Sequence, residues 1–462
     1  MRFYSENYHE STQYAPRSSG DPVSLYWEKE PLPDKRYLGF ERMAMPMHML
    51  PPLHAATFDA IDSVCTYVVL RKYGVPDGVF YCDEATHELV RIGSGNEMEA
   101  IAKSFTDSEF VRSVPMLFLY TGVVSRTVWR LKEAAYREIE KDVGTVVGNQ
   151  VLFSRGRGFR TTVLGGFVDD SIANTLKLPS TEIPLAALAV YPDSLNVNNI
   201  SLDEGAGEFA YSNRNESLEN SFAEVPGANA GTRYSSRFML QNRSECIDDL
   251  SRCIRVCRVQ TQALPGDEFP LTPSKFTNDY YYREVELLPK KTFRIRPFVP
   301  CNLDLDDFSS ILRWLELGQI NMFGAGLLKI WVVAFNVMFV YAGVYRYVPV
   351  RKSLYMQGAQ IPEKKFMRCH AAPEQVQNSV FAIILTANLN ESCNVLGDRA
   401  YRYLNMNAGY IAESVYLSAR LLNKASHTEH FYYENDLKAL CGIPESESVL
   451  SEIVVGRIKD SL

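Results

Sequence analysis

The longest apolar stretch runs from Ile330 to Tyr345, reading IWVVAFNVMFVYAGVY, with Asn336 as its one strongly polar side chain. A membrane-crossing helix needs about 20 such residues, and this run is shorter. It is rich in Val, Phe and Tyr, and Ala342-Gly343 falls where a turn forms, so the pattern predicts two buried strands joined by a turn. An earlier stretch, YVVLRKYGVPDGVFYC, predicts the same arrangement around the turn residues Val75-Pro76-Asp77-Gly78. The pattern then predicts a helix from Asn96 to Ser113 and a buried strand from Met116 to Thr121. A long helix follows from Arg126 to Arg155, stopped by Gly156-Arg157-Gly158. A strand at Thr161–Gly165, a short helix at Asp169–Leu176 and a strand at Pro184–Tyr191 complete the series.

The likeness of the two stretches extends to the whole chain. In one constant register Gly78-Val79-Phe80 meets Gly343-Val344-Tyr345 and Thr121 meets Thr386. Ala135-Tyr136-Arg137 meets Ala400-Tyr401-Arg402, Gly144 meets Gly409, and Glu182 meets Glu447. One gap upstream, Tyr67-Val68-Val69 lies opposite Trp331-Val332-Val333. A constant register over this length identifies a tandem duplication, and a period this long means two whole units rather than a solenoid. The expected fold is α+β, with each unit a mixed sheet flanked by helices and the two packed as an intrachain pseudo-dimer. The organisation read from the chain is an N-terminal arm (1–22), a first unit (23–192), a linker or insertion with a short helix near Ile247–Val259 (193–280), and a second unit (281–462). Gly144 and Gly409, inside the long helices, permit close approach of either a helix or a ligand.

Composition narrows the chemistry. With 462 residues, 48 Lys+Arg against 55 Asp+Glu and a net charge of -7, the chain lacks the basic footprint of a nucleic-acid binder. The nine cysteines include no CxxC pair, and the seven histidines are dispersed, so neither a zinc site nor a disulfide framework is expected. The start, MRFYSENYHESTQYAPRSSG, has no apolar signal core. Reduced thiols and the absence of a membrane span point to a cytoplasmic location. No GxGxxG, GxxxxGKS, HExxH or GxSxG pattern occurs.

The acidic balance has a local exception. LPKKTFRIRPF carries Lys290, Lys291, Thr292, Arg294 and Arg296 just before the second unit's first helix, at about Asp304–Leu317. Cations and a hydroxyl at a helix approach suit a phosphate monoester; a solvated strand edge guarded by lysines is the other reading. The first unit has only Arg42 in the matching place, so one anion site per chain is expected. Arg399 and Arg402 at the start of the second long helix, and Arg457 and Lys459 after the last strand, extend the candidate set. The unrepeated Tyr280-Tyr281-Tyr282 is the place to look for a substrate.

These residues resemble the SagB/ThcOx-type dehydrogenases of the FMN-dependent nitroreductase superfamily, of the long two-domain type. Tyr8-His9-Glu10-Ser11-Thr12 is similar to the family's opening YHExTK. Lys290-Lys291-Thr292-Phe293-Arg294 takes the place of RRSxR, which grips the flavin phosphate, Gly343-Val344-Tyr345-Arg346-Tyr347 resembles pGvYrY, and Gly397-Asp398-Arg399-Ala400-Tyr401-Arg402 resembles YGxRAYR. The resemblance implies two nitroreductase units with non-covalent FMN between them. Lys290, Lys291, Thr292, Arg294, Arg457 and Lys459 would lie on its phosphate, and Arg399 and Arg402 would help build the site. It implies oxidation of a ribosomally made peptide, for example azoline to azole, with other enzymes of a peptide-modifying cluster as partners and no nucleic acid or membrane; homodimerisation stays open. The family's Lys-Tyr acid/base pair is replaced by Val395 and Leu396, which transfer no protons, and only Ser63-Val64-Cys65-Thr66 stands where the first unit's flavin loop is expected. A catalytically degenerate subunit that binds a peptide or partner is therefore the alternative, with a broad nitro or quinone reductase third.

Overall fold

The computed structural model describes residues 3–14, 37, 39–46, 49, 63–72, 74–131, 134–192, 264–275, 297–321, 325–397 and 399–459. Helix α1 (Tyr4–Ser11) opens the chain. The first copy contains β1 (Arg42–Ala44), β2 (Val64–Leu70), β3 (Gly78–Asp83), β4 (Glu88–Gly93), α2 (Gly95–Lys103), α3 (Ser108–Ser113), β5 (Met116–Val123), α4 (Val124–Leu131), α5 (Ala135–Gly156), β6 (Phe159–Leu164), α6 (Asp169–Leu176) and β7 (Glu182–Pro192). The second contains β8 (Glu268–Pro270), β9 (Phe298–Val299), α7 (Leu305–Asn321), β10 (Lys329–Ala334), β11 (Gly343–Val348), β12 (Ser353–Gly358), α8 (Glu363–Met367), α9 (Pro373–Val376), β13 (Phe381–Ala387), α10 (Leu389–Leu396), α11 (Arg399–Leu421), β14 (Ala425–Glu429), α12 (Glu434–Cys441) and β15 (Ser448–Ile458).

The duplication is visible in the sheets. The first has the order β1-β4-β3-β2-β5-β7-β6 and the second β8-β12-β11-β10-β13-β15-β14, strand for strand the same arrangement, with β9 added at the end of β15. Neighbouring strands pair antiparallel in both, as in Tyr67↔Leu119 and Trp331↔Ile384. The apolar run at Ile330 is the hairpin β10–β11, and among the described residues no helix is long and apolar enough to cross a membrane.

Each sheet is buried on both faces, which is why its strands read as continuous apolar runs. Val68, Leu70, Ile383 and Leu385 point into one core shared by both copies around α5 and α11. The alternate residues, Tyr67 and Val69 in one sheet and Ala382 and Ile384 in the other, face separate outer cores. Those outer cores are closed by α2, α3 and α6 in the first copy and by α8, α9 and α12 in the second. The sequence helix at 126–155 is two helices, α4 and α5, and the one at 96–113 is likewise α2 and α3. In the latter, Asp107 ends the run by capping α3 through Phe110 N.

The two long helices cross at the paired glycines. A Cβ on Gly144 would strike the carbonyl of Met406, and one on Gly409 the carbonyl of Lys141. Of the two uses expected for these glycines, the structure shows helix packing. Both clashes are with backbone, so no rotamer change relieves them.

Candidate functional site

Two cations stand at the end of β15, where strand β9 joins the sheet. Arg457 pairs with Val299 and Ile458 with Phe298, and both Arg457 and Lys459 are exposed. Strand β9 is seated there by Gly456, whose missing side chain makes room for the Phe298 ring. That ring stacks on His427 at 5.2 Å, and Asn378 Nδ2 donates to Phe298 O at 3.1 Å. Burial pushes His427 down to about 4, so the ring is neutral at physiological pH. The chain enters β9 through Pro297, the residue after Arg296; Lys290, Lys291, Thr292 and Arg294, with Tyr280–Tyr282 and the Ile247–Val259 helix, lie outside the described residues. The first copy has Pro192 and Ser194 at the positions of Arg457 and Lys459.

The rim of this end is apolar. Leu303 bonds Asn336 O and Met338 N, holding a turn from which Met338, Phe339 and Tyr341 project, with Phe339 at φ 65°. Tyr345 donates its hydroxyl to Tyr341 O at 2.6 Å and fixes the backbone of the turn.

Arg399 and Arg402 lie elsewhere. Both are buried between the copies, where Asp169 takes them. Arg399 donates to Asp169 Oδ1 at 2.5 Å and to the carbonyls of Gly165 and Phe167, and Arg402 donates to both carboxylate oxygens at 3.2 and 3.1 Å. Burial opposes the Asp169 charge, but the two arginines outweigh it and hold the carboxyl at about 2. The expectation that they help build a phosphate site thus meets a competing partner: both are held by one carboxylate inside the protein, tying α11 to α6.

Sequence reading missed the polar network on the pseudo-twofold axis. Asn405 Nδ2 donates to Glu140 Oε2 at 3.0 Å, and these two residues are each other's repeat counterparts. Burial raises Glu140 to about 8, so it is largely protonated at neutral pH. Tyr8 of α1 stands edge-on to Tyr136 and to its counterpart Tyr401, at 6.1 and 5.6 Å. His9 joins Tyr401 Oη (3.1 Å) to Glu434 Oε2 (3.0 Å), and Ser5 meets Cys393 Sγ at 2.9 Å. Glu138 accepts from Lys141 at 3.0 Å and meets His430 Nδ1 at 2.9 Å. The 265-residue register, applied to polar as well as apolar positions, was the signal that could have found Glu140 with Asn405; nothing in the sequence marks the contacts of Ser5, His9 and His430.

A second repeated motif links the hairpins to the last strands. Glu182 accepts from Thr121 (2.7 Å) and Tyr67 (2.6 Å), and Glu447 accepts from Thr386 (2.5 Å) and Trp331 (3.1 Å). The second copy alone adds Lys329 at 2.7 Å. Burial opposes the charge on Glu447, but Lys329 and Thr386 hold the carboxyl below its usual range. In the outer core of the second copy His370 Nε2 sits 3.0 and 2.9 Å from the two oxygens of Glu452, where the first copy has Phe105 and Ala187. No group of side chains able to hold a metal occurs among the described residues, and their six cysteines are free thiols.

The geometry has a full-length match. The crystal structure of a candidate nitroreductase from Anabaena variabilis superposes with a TM-score of 0.77 over 99% of this chain and 100% of its own, at 18% identity. The chain has the nitroreductase fold. It contains two copies of the nitroreductase unit, one per sheet. A candidate nitroreductase from Methanocaldococcus jannaschii is 30% identical over 129 residues, which are 27% of this chain and 64% of that relative. The chain therefore spans less than two thirds of the curated relative it matches. The E. coli microcin synthetase complex with bound truncated pro-peptide is similar over 46% of this chain and 82% of its own, at 16% identity and a TM-score of 0.32. No protein-family model matches.

Proposed function

We propose that the chain is a flavin-dependent oxidoreductase with one FMN site, at the cationic end of the second copy, acting on a ribosomally made peptide. The observation that carries this reading is the convergence, within a nitroreductase fold, of Arg457 and Lys459 on the strand β9 into which the basic run leads. The donor set fits a phosphate monoester: Lys290, Lys291, Thr292 and Arg294 with Arg457 and Lys459 supply cations and a hydroxyl, whereas the first copy offers only Pro192 and Ser194 in place of the last two. Bound flavin supplies the redox chemistry. The chain's own part is to hold the phosphate and present the apolar turn at Met338–Tyr341 beside it. Arg399 and Arg402 act behind the site by fixing α11. The peptide substrate, and partners from a peptide-modifying cluster, rest on the resemblance to the SagB/ThcOx type.

A second reading has its own observation. Leu396 is fully buried in the shared core, so no proton-transferring group stands at that position of the family's acid/base pair. In this reading the fold survives as a subunit that binds a peptide or partner. The spectrum of the purified chain, followed by titration with FMN, separates the two. The oxidoreductase reading expects a yellow protein or saturable FMN binding. It also expects affinity to fall about tenfold or more for each of Lys290→Ala, Arg294→Ala and Arg457→Ala, because each removes a charged hydrogen bond. Colourless protein that FMN does not bind favours the scaffold.

A further inference from the structure

The pseudo-twofold axis should carry two equivalent ion-pair locks, and the two differ in construction. In the first, α11 of the second copy grips α6 of the first: Arg399 and Arg402 hold Asp169. Moving each residue by the repeat register gives Ala134, Arg137 and Glu434 for the second lock. Glu434 opens α12 as Asp169 opens α6, and it is likewise buried. Ala134, however, supplies no donor where the first lock has Arg399. In its place His9 of α1 brings Nε2 to 3.0 Å from Glu434 Oε2.

We propose that α1 is an intrachain strap that makes the second lock, with His9 supplying Glu434 the side-chain donor that Ala134 lacks and that Arg137, paired with Glu138, does not give. Four further contacts place α1 at that lock. Tyr8 meets Arg137 N at 3.4 Å, and Arg137 Nη2 donates to Thr12 O at 3.3 Å while its Nε pairs with Glu138 at 3.3 Å, so Arg137 holds the strap's last turn and leaves Glu434 to His9. Ser5 contacts Cys393, and His9 Nδ1 contacts Tyr401. Among the described residues the strap occurs once. The Tyr8 ring lies between Tyr136 and Tyr401, which the pseudo-axis relates to each other, so a second arm entering from the other side would claim the same space. One arm therefore serves two copies and makes their interface asymmetric.

The consequence reaches the last strand. Glu434 Oε1 accepts from Val449 N at 2.9 Å, where the first copy has Pro184, which has no N–H. The strap thus bears on α12 and the start of β15, while the lock on α6 is made by Arg399 and Arg402.

Hydrogen exchange on the full-length chain tests this. His9→Ala should accelerate exchange of the Val449 amide and of α12 by about tenfold or more and leave α6 unchanged. His9→Gln, which keeps a donor, should stay near the wild type. His9→Ala with Ala134→Arg should return α12 to slow exchange, because it rebuilds the second lock on the plan of the first. Equal acceleration of α6 and α12 in His9→Ala overturns the proposal, as does a double variant that exchanges as fast as His9→Ala. Should His9→Ala fail to accumulate folded, recovery of folded protein by Ala134→Arg supports the proposal and its failure overturns it.

Discussion

The two copies share a strand order and a pair of crossing helices, yet they have diverged in opposite directions. The first has kept an apolar outer core, with Phe105, Leu164 and Ala187 at positions where the second buries His370, Glu429 and Glu452. The second carries Arg457 and Lys459, both exposed, at a sheet end joined by the strand β9. Such a division follows from the fold itself. Antiparallel ladders and a shared core tolerate side-chain exchange at many positions, whereas the helix crossing does not.

The comparison is broken most severely at the locks. Asp169→Ala leaves Arg399 and Arg402 buried without a carboxylate and should cost about 3–5 kcal/mol in urea unfolding. Glu434→Ala should cost less, about 1–3 kcal/mol, because a histidine and a backbone amide stand where Asp169 has two arginines. Equal losses would mean that the locks do not differ in kind.

Gly409→Val should cost about 3 kcal/mol, since its Cβ meets backbone at the crossing. Gly144→Val should match it, as the pseudo-axis requires; a mild effect at either glycine would show that the helices can part.

Glu140→Gln gives a pH signature. Glu140 is raised to about 8 in the folded chain from an ordinary value near 4.5. The folded state therefore keeps a proton that the unfolded state releases, and the stability this group contributes is full below about 4.5 and is lost as pH rises to about 8. Relative to the glutamine variant, the wild type should lose up to about 1.4 kcal/mol per pH unit within that window. A flat difference from pH 5 to 8 would remove Glu140 from the protonated groups.

The smallest effect lies at the ends of α6 and α12. Lys177 closes α6 at φ 53°, and its counterpart Gly442 closes α12 at φ 67°. The left-handed conformation costs a side chain about 1 kcal/mol, so Lys177→Gly should stabilise by up to that amount and Gly442→Lys should destabilise. Thermal melts of the pair decide it.

Much of the fold was legible in the chain because burial on both faces leaves long apolar runs and because two copies read each other. The hairpin at Ile330 was separated from a membrane helix by its length and by its partner at Tyr67. The broken helices were less legible: α2 and α3 share one apolar periodicity, and only the Asp107 cap divides them. At the candidate site Arg457 and Lys459 stand exposed beside the strand that the basic run enters, whereas Arg399 and Arg402 turn inward to a carboxylate far away in sequence. An arginine looks the same in sequence whether it faces solvent or an aspartate more than two hundred residues away.

The sequence by itself determined the duplication and the layering of sheet and helix. These follow from periodicity and composition, which are local properties. Only the tertiary structure decided which charges meet. The pairing of Glu140 with Asn405, the capture of Arg399 and Arg402 by Asp169, and the placement of His9 between Tyr401 and Glu434 depend on how two helices cross and where an arm docks. Those are set by packing across the pseudo-axis, for which no stretch of sequence carries a local sign.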